Sequence, residues 1–178
     1  MGNLLYQMGG LSHSIEHLNR ALAIYQQNSQ LQQQGHVNLT LAKVYQRSGN
    51  QNISFLFLHQ ARELFSKVND EAGMSMVLSN LGHFYEKSEQ YDSALLFQKR
   101  ALELLQRIDE QSGLAEIHDN LGSIYEDLNR FEEAKEQFEM ALEINQANNN
   151  QSSAIVNLNN IGDTYRKRGA FDQALSYS

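Results

Sequence analysis

Apolar residues fall three and four apart along nearly the whole chain, with polar residues between them. Leu114, Ile117, Leu121, Ile124, Tyr125 and Leu128 form one such stripe, and Phe131, Ala134, Phe138, Ala141 and Leu142 form another. That spacing belongs to amphipathic α-helices. Asn129-Arg130 separates the two stripes, and Gly49-Asn50 and Gly169-Ala170 hold the same place elsewhere. Glycine and asparagine suit a left-handed helix end, so these are tight turns. Longer polar breaks lie at 69–73, 109–113 and 148–152. The pattern predicts a helix A over 34–48, 73–88, 113–128 and 152–168, and a helix B over 11–27, 52–68, 91–107, 131–147 and from 171 onward.

The stripes themselves repeat. Leu81-Gly82-His83-Phe84-Tyr85 returns as Leu121-Gly122-Ser123-Ile124-Tyr125 and as Ile161-Gly162-Asp163-Thr164-Tyr165, 40 residues apart each time. Leu41-Ala42-Lys43-Val44-Tyr45 precedes them in phase, and Gly2 precedes that. Helix B keeps the same period: Tyr91, Phe131 and Phe171; Ala94, Ala134 and Ala174, with Ser14 and Ser54 before them; Ala21, Ala61, Ala101 and Ala141. A fixed period of this length means stacked supersecondary units. Such arrays usually present a long surface to a partner.

Glycine inside a helix costs about 1 kcal/mol against alanine. Gly82, Gly122 and Gly162 therefore need a reason, and close approach of helix B supplies one. Ala94, Ala134 and Ala174 are the expected other half of that contact. Tyr85, Tyr125 and Tyr165 fill the next layer, with their hydroxyls toward the turn.

Composition narrows the picture. With 41% hydrophobic and 20% charged residues and no proline, the chain suits a nearly all-helical fold. A formal net charge of −7 argues against duplex nucleic acid as a partner. The absence of cysteine excludes disulfides, thiolate metal sites and a cysteine nucleophile. No apolar run is long enough to span a membrane, and 1–10 lacks the pattern of a signal peptide. A cytoplasmic setting is the resulting expectation.

The residues Leu121, Gly122, Tyr125, Ala134, Phe138 and Ala141 together resemble the tetratricopeptide repeat (TPR) family. The resemblance covers essentially the whole chain, 1–178, as a single array of about four and a half units, near 1–32, 33–72, 73–112, 113–151 and 152–178. It implies an all-α, right-handed superhelical solenoid of helix-turn-helix hairpins. The usual unit is about 34 residues with a terminal proline; here it is 40 with none. Leu78, His118 and Leu158 stand where a bulky aromatic is usual early in helix A, and Gln98 stands where Phe138 sits one unit later, with Phe97 beside it. The 40-residue variety is similar to adaptors of the G-protein-signalling-modulator type and to bacterial TPR signalling proteins.

The resemblance also implies a binding surface, since helices A line the concave groove of such arrays. Asn80, Asn120 and Asn160 repeat just before the Leu-Gly pair, with Thr40 preceding them. In the 40-residue relatives this asparagine contacts a peptide backbone, and a carboxamide offers both donor and acceptor for that. The alternative is an interhelical or capping hydrogen bond. Lys43, Arg47, His83, Lys87, Asp119, Ser123, Asp163 and Arg166 share the face by phase, basic toward the second unit and acidic toward the fourth. An ordinary solvated helix face is the alternative there. Ser79 and Asp119 replace the cations of a chaperone-type carboxylate clamp.

Little else carries chemistry. His13-Ser14-Ile15-Glu16-His17 fits an H-x-x-E-H metal pattern without a third ligand, so an ordinary helix surface is the better account. No phosphate loop, nucleophile elbow or paired-carboxylate site is recognisable. The expectation is a non-catalytic interaction module, without cofactor or metal, that takes a protein or peptide ligand and belongs to a larger signalling or scaffold protein. Two alternatives follow from the resemblance: a dimerising input domain of a bacterial histidine kinase or transcription regulator, and a subunit of the aspartyl-phosphate phosphatase type. Met1 falls in mid-motif and Tyr177-Ser178 early in a helix B, which reads as a fragment of a larger protein or a chain with disordered ends.

Overall fold

The computed structural model of the chain describes residues 2–174. They form α1 (Gly2–Gln27), α2 (Leu31–Arg47), α3 (Gln51–Val68), α4 (Glu71–Lys87), α5 (Tyr91–Arg107), α6 (Gln111–Asp127), α7 (Phe131–Ala147), α8 (Gln151–Arg168) and α9 (Phe171–Ala174). There is no strand among the described residues, and the fold is the expected all-α helical repeat. The motif positions at Met1 and Tyr177-Ser178 lie outside them. The backbone divides into two compact units, one up to Phe84 and one from Tyr85 onward. In the first, α1 packs on α2 and α2 on α3; in the second, α5 packs on α6, α6 on α7, α7 on α8 and α8 on α9.

From α2 onward a helix begins every 20 residues, at 31, 51, 71, 91, 111, 131, 151 and 171. The two kinds of connection expected from sequence are therefore one kind. Each places a single residue in the left-handed region: Ser29, Gly49, Asn69, Glu89, Asp109, Asn129, Asn149 and Gly169. The amide that follows donates to the carbonyl five residues back, as in Gln30 to Tyr25, Asn50 to Tyr45 and Arg130 to Tyr125, at 2.8–2.9 Å. This is the six-to-one bond of a Schellman helix end. The polar residues at 71–73, 111–113 and 151–152 extend the A helices instead of lengthening loops. Conversely, α1 runs through Gly9-Gly10, where the repeat would place a turn.

A non-glycine residue in the left-handed region costs about 1–2 kcal/mol, with asparagine and aspartate best tolerated. Glu89 has no such excuse at φ 56°. Glu89→Gly is expected to raise stability by roughly 0.5–1 kcal/mol after glycine's greater entropy loss. Urea unfolding checks this; a lower midpoint at unchanged slope contradicts it.

The helix-packing slots read from sequence are buried from α3 onward, whereas on α1 Ser14 is exposed and Ala21 half-buried. Ala61, Ala94, Ala101, Ala134, Ala141 and Ala174 lie in the core with Ser54. The aromatic layer pairs across helices, with Tyr45 stacked on Phe57 in the first unit and Tyr85 on Phe97 in the second. At Tyr125 the partner position is Gln137, and the Arg130 guanidinium lies over the ring at 4.6 Å instead.

The mid-helix glycine is explained, but its partner differs from the expected alanine. A Cβ on Gly122 would stand 2.5 Å from Cε1 of Phe138, whose ring lies flush against the α6 backbone. Phe65 does the same at two places in the first unit. A Cβ on Gly35 would stand 2.6 Å from its ring, and one on Gly73 2.5 Å. Burying a whole ring against bare backbone gains more contact than an alanine would.

Candidate functional site

Lys43, Arg47, Asn80 and His83 belong to the first unit; Lys87, Asp119, Asn120, Ser123, Asn160, Asp163 and Arg166 belong to the second. Lys43 and Arg47 are exposed on α2, and Asn80 and His83 are half-buried on α4. The Asn80 amide donates to the Met76 carbonyl of its own helix at 2.7 Å. Lys87 is exposed, with Nζ 3.7 Å from the buried Glu86 carboxylate. Asn120 and Ser123 are half-buried on α6. Asp163 pairs with Arg166 along α8.

Asp119 and Asn160 are brought together. The Asn160 amide donates to Asp119 Oδ1 at 3.2 Å, and the Asn157 amide donates to the same oxygen at 2.8 Å. Seven residues along α6, Glu126 is held in the same manner. The Thr164 hydroxyl donates to its Oε1 at 2.9 Å and Lys167 approaches Oε2 at 2.5 Å. The sequence offsets are equal in the two cases, 38 and 41 residues, so two carboxylates of α6 bind α8 in one register. They differ in charge: Glu126 has a lysine, whereas Asp119 has two neutral amides and no cation among the described residues.

Behind Asp119 runs a chain that sequence analysis did not single out. Asn157 is wholly buried and Asn145 is 7% exposed. The Asn145 amide donates to Asn157 Oδ1 at 2.7 Å, and the Asn150 amide donates to Asn145 Oδ1 at 3.4 Å. Asn150 caps α8 by accepting from the Ser153 N–H. Each amide thus donates toward the carboxylate, an orientation in which successive bonds polarise one another. The signal was present as broken phase. Position 145 follows Phe65 and Leu105, and position 157 follows Val37, Val77 and Ile117. Two apolar slots turn polar within twelve residues of each other, and a buried amide is tolerated only when bonded.

Burial lifts the Asp119 carboxyl above the ordinary aspartate range; the bonds from Asn160 and Asn157 act against this, and Glu116 adds to it. Asp127 is also raised, by burial first and then by Glu86, with Lys87 and Lys167 opposing. Elsewhere on this unit His118 Nδ1 lies 2.8 Å from Gln137 Oε1, tying α6 to α7. On α1, Glu16 pairs with Arg20 at 2.7 Å, and His13 and His17 are exposed beside it. No group of three metal-ligating side chains occurs among the described residues. No helix of the described residues is long and apolar enough to cross a membrane.

Comparison with known proteins agrees with the repeat. Residues 73–147 match the tetratricopeptide repeat family model. No curated protein sequence matches the chain. Among solved structures, BtubC (BKLC) from P. vanneervenii is similar at 19% identity and TM-score 0.71, over 98% of this chain and 87% of that one. A Rap protein complexed with Competence and Sporulation Factor is similar at 19% identity and TM-score 0.84. There the match covers 99% of this chain but only 49% of the Rap protein. MamA is similar at 20% identity and TM-score 0.63, over 99% and 90% of the two chains. At these identities the likeness is one of fold.

Proposed function

The chain carries tetratricopeptide repeats, and on that footing we propose that it is a non-catalytic interaction module that takes an extended peptide segment of a partner protein along α6 and α8. The observation that carries this reading is the polar seam between α6 and α8. Asp119, Asn120, Ser123, Asn160 and Asp163 stand there half-buried, a state in which polar side chains are both held in place and reachable. Half-buried hydrogen bonds from Asn157 and Asn160 fix the orientation of Asp119 before any ligand arrives. Preorganised polar groups bind an extended backbone at lower entropic cost than mobile ones. The Rap protein of similar fold is found bound to Competence and Sporulation Factor, which lends the reading support by analogy of fold alone. A place within a larger signalling or scaffold protein, in the cytoplasm, completes the proposal.

The test is affinity capture from a lysate with the wild type and with Asn80→Ala/Asn120→Ala/Asn160→Ala. The expected outcome is a partner held by the wild type and lost by the triple variant, at least a tenfold change for about 1.4 kcal/mol of lost contact. Circular dichroism must show the variant folded. Equal recovery by the two proteins moves the interaction off this face and ends the proposal.

A further inference from the structure

The carboxylate at position 119 is costly where it stands. It is half-buried, it receives two hydrogen bonds from neutral amides, and no cation pairs with it among the described residues. The charge that acts on it is Glu116, one turn back on the same helix and of the same sign. The matching carboxylate two turns along, Glu126, is neutralised by Lys167. The cost is compounded behind it, where Asn145 and Asn157 stand in the slots of Phe65 and Leu105 and of Val37, Val77 and Ile117. An apolar pair at those positions would pack without any need for partners. What the asparagines do provide is orientation: a relay from the α7–α8 turn through the core that pins Asp119 Oδ1. A pinned, uncompensated carboxylate at a reachable seam is shaped to receive a positive charge from outside.

We propose that Asp119 pairs with a lysine or arginine side chain of the bound peptide, and that Asn157 and Asn145 are positioning residues that hold its carboxylate for that contact. This rests on the reading of the A-helix face as a peptide site and goes beyond it by naming the chemistry of the ligand. A guanidinium or ammonium supplies the charge-assisted hydrogen bonds that the two amides cannot, and it removes an uncompensated charge. Binding therefore gains where the free protein is strained electrostatically.

The experiment is selection of a random 12-residue peptide library displayed on phage, carried out separately on the wild type, Asp119→Asn and Asn145→Leu/Asn157→Ile. The last variant restores the apolar pattern of the earlier repeats. The wild type is expected to enrich peptides with Lys or Arg at one fixed position, and Asp119→Asn to enrich peptides without it. One wild-type peptide is then synthesised with that cation or with glutamine in its place. The exchange is expected to weaken binding to the wild type roughly tenfold or more, and to leave Asp119→Asn indifferent. The double variant should fold and lose most of the discrimination, which a merely structural role for the asparagines would leave intact.

Melting curves control for folding. Asp119→Asn should melt no lower than the wild type at neutral pH, because it keeps the acceptor oxygen and removes the charge. The sign follows from the raised carboxyl range: the charged form costs the fold stability above it, and that cost vanishes as pH falls through it. Enriched peptides without a fixed cation, bound by the wild type and lost by the triple asparagine variant, overturn this inference and leave the peptide site standing. The same cation motif selected on Asp119→Asn overturns it as well. Failure of any peptide to enrich on the folded wild type overturns both.

Discussion

Phe65→Ala is expected to destabilise the first unit by about 3–5 kcal/mol, the range for removing a buried aromatic ring. The ring is fully buried on α3 and is clasped on two sides by helix backbone, at Gly35 of α2 and Gly73 of α4. His36 meets it edge-on at 5.0 Å between ring centroids. Because glycine has no side chain to swing into a void, the space left by an alanine would stay open, and cavity cost adds to lost transfer energy. Phe65→Leu should recover most of the loss, since Leu105 occupies the same slot over Gly113 in the next repeat. Urea unfolding measures both. A Phe65→Ala midpoint that shifts by less than about 1 kcal/mol would mean that the two helices close on the gap and that the glycines do not hold the ring.

Gly122→Leu carries the second large effect, destabilisation of about 3 kcal/mol, at the upper end of the usual overpacking range. A Cβ alone would sit 2.5–2.8 Å from three atoms of the Phe138 ring, and Phe138 is 1% exposed, so the ring has nowhere to go. Any gain in helix propensity on leaving glycine, about 1 kcal/mol, is smaller than the clash. A double-mutant cycle of Gly122→Ala with Phe138→Leu identifies the partner. The smaller side chain should relieve the strain of the added methyl, giving a favourable coupling between the two changes. Additive effects would return the contact to Ala134, the partner that sequence phase alone points to.

That change of partner shows where sequence reading stops. The 40-residue phase places Gly122 in mid-helix and places Ala134 and Phe138 on the facing helix, one turn apart. Which of the two covers the glycine depends on how far α7 slides along α6, and periodicity carries no information on sliding. Turns follow the same rule. Gly49, Asn129 and Gly169 declare themselves by residue type, but Glu89 and Asp109 take the same left-handed conformation because the helices on either side dictate it. The equal spacing of all connections is therefore not legible from residue type alone, since Asn69 and Asn149 also make tight turns inside stretches that read as longer polar breaks.

The candidate site divides in the same way. Asn80, Asn120 and Asn160 are visible as a ladder because they recur at one phase. Asn145 and Asn157 break their phases and so look like scattered polar substitutions. Their meaning appears only when the Asn145 amide is found 2.7 Å from Asn157, and Asn157 2.8 Å from Asp119.

What the sequence by itself determined is local: the helices, their ends to within about three residues except at the start of α1, the buried faces and the family of the repeat, because helical periodicity and small-residue spacing act over a few turns. What only the tertiary structure decided is lateral: the ring that rests on each glycine, the common geometry of the turns, and the relay that ends on Asp119. Those depend on register between helices whose partners lie 12 to 41 residues apart. That register is set by side-chain packing across the whole interface, not by the residues of either helix alone.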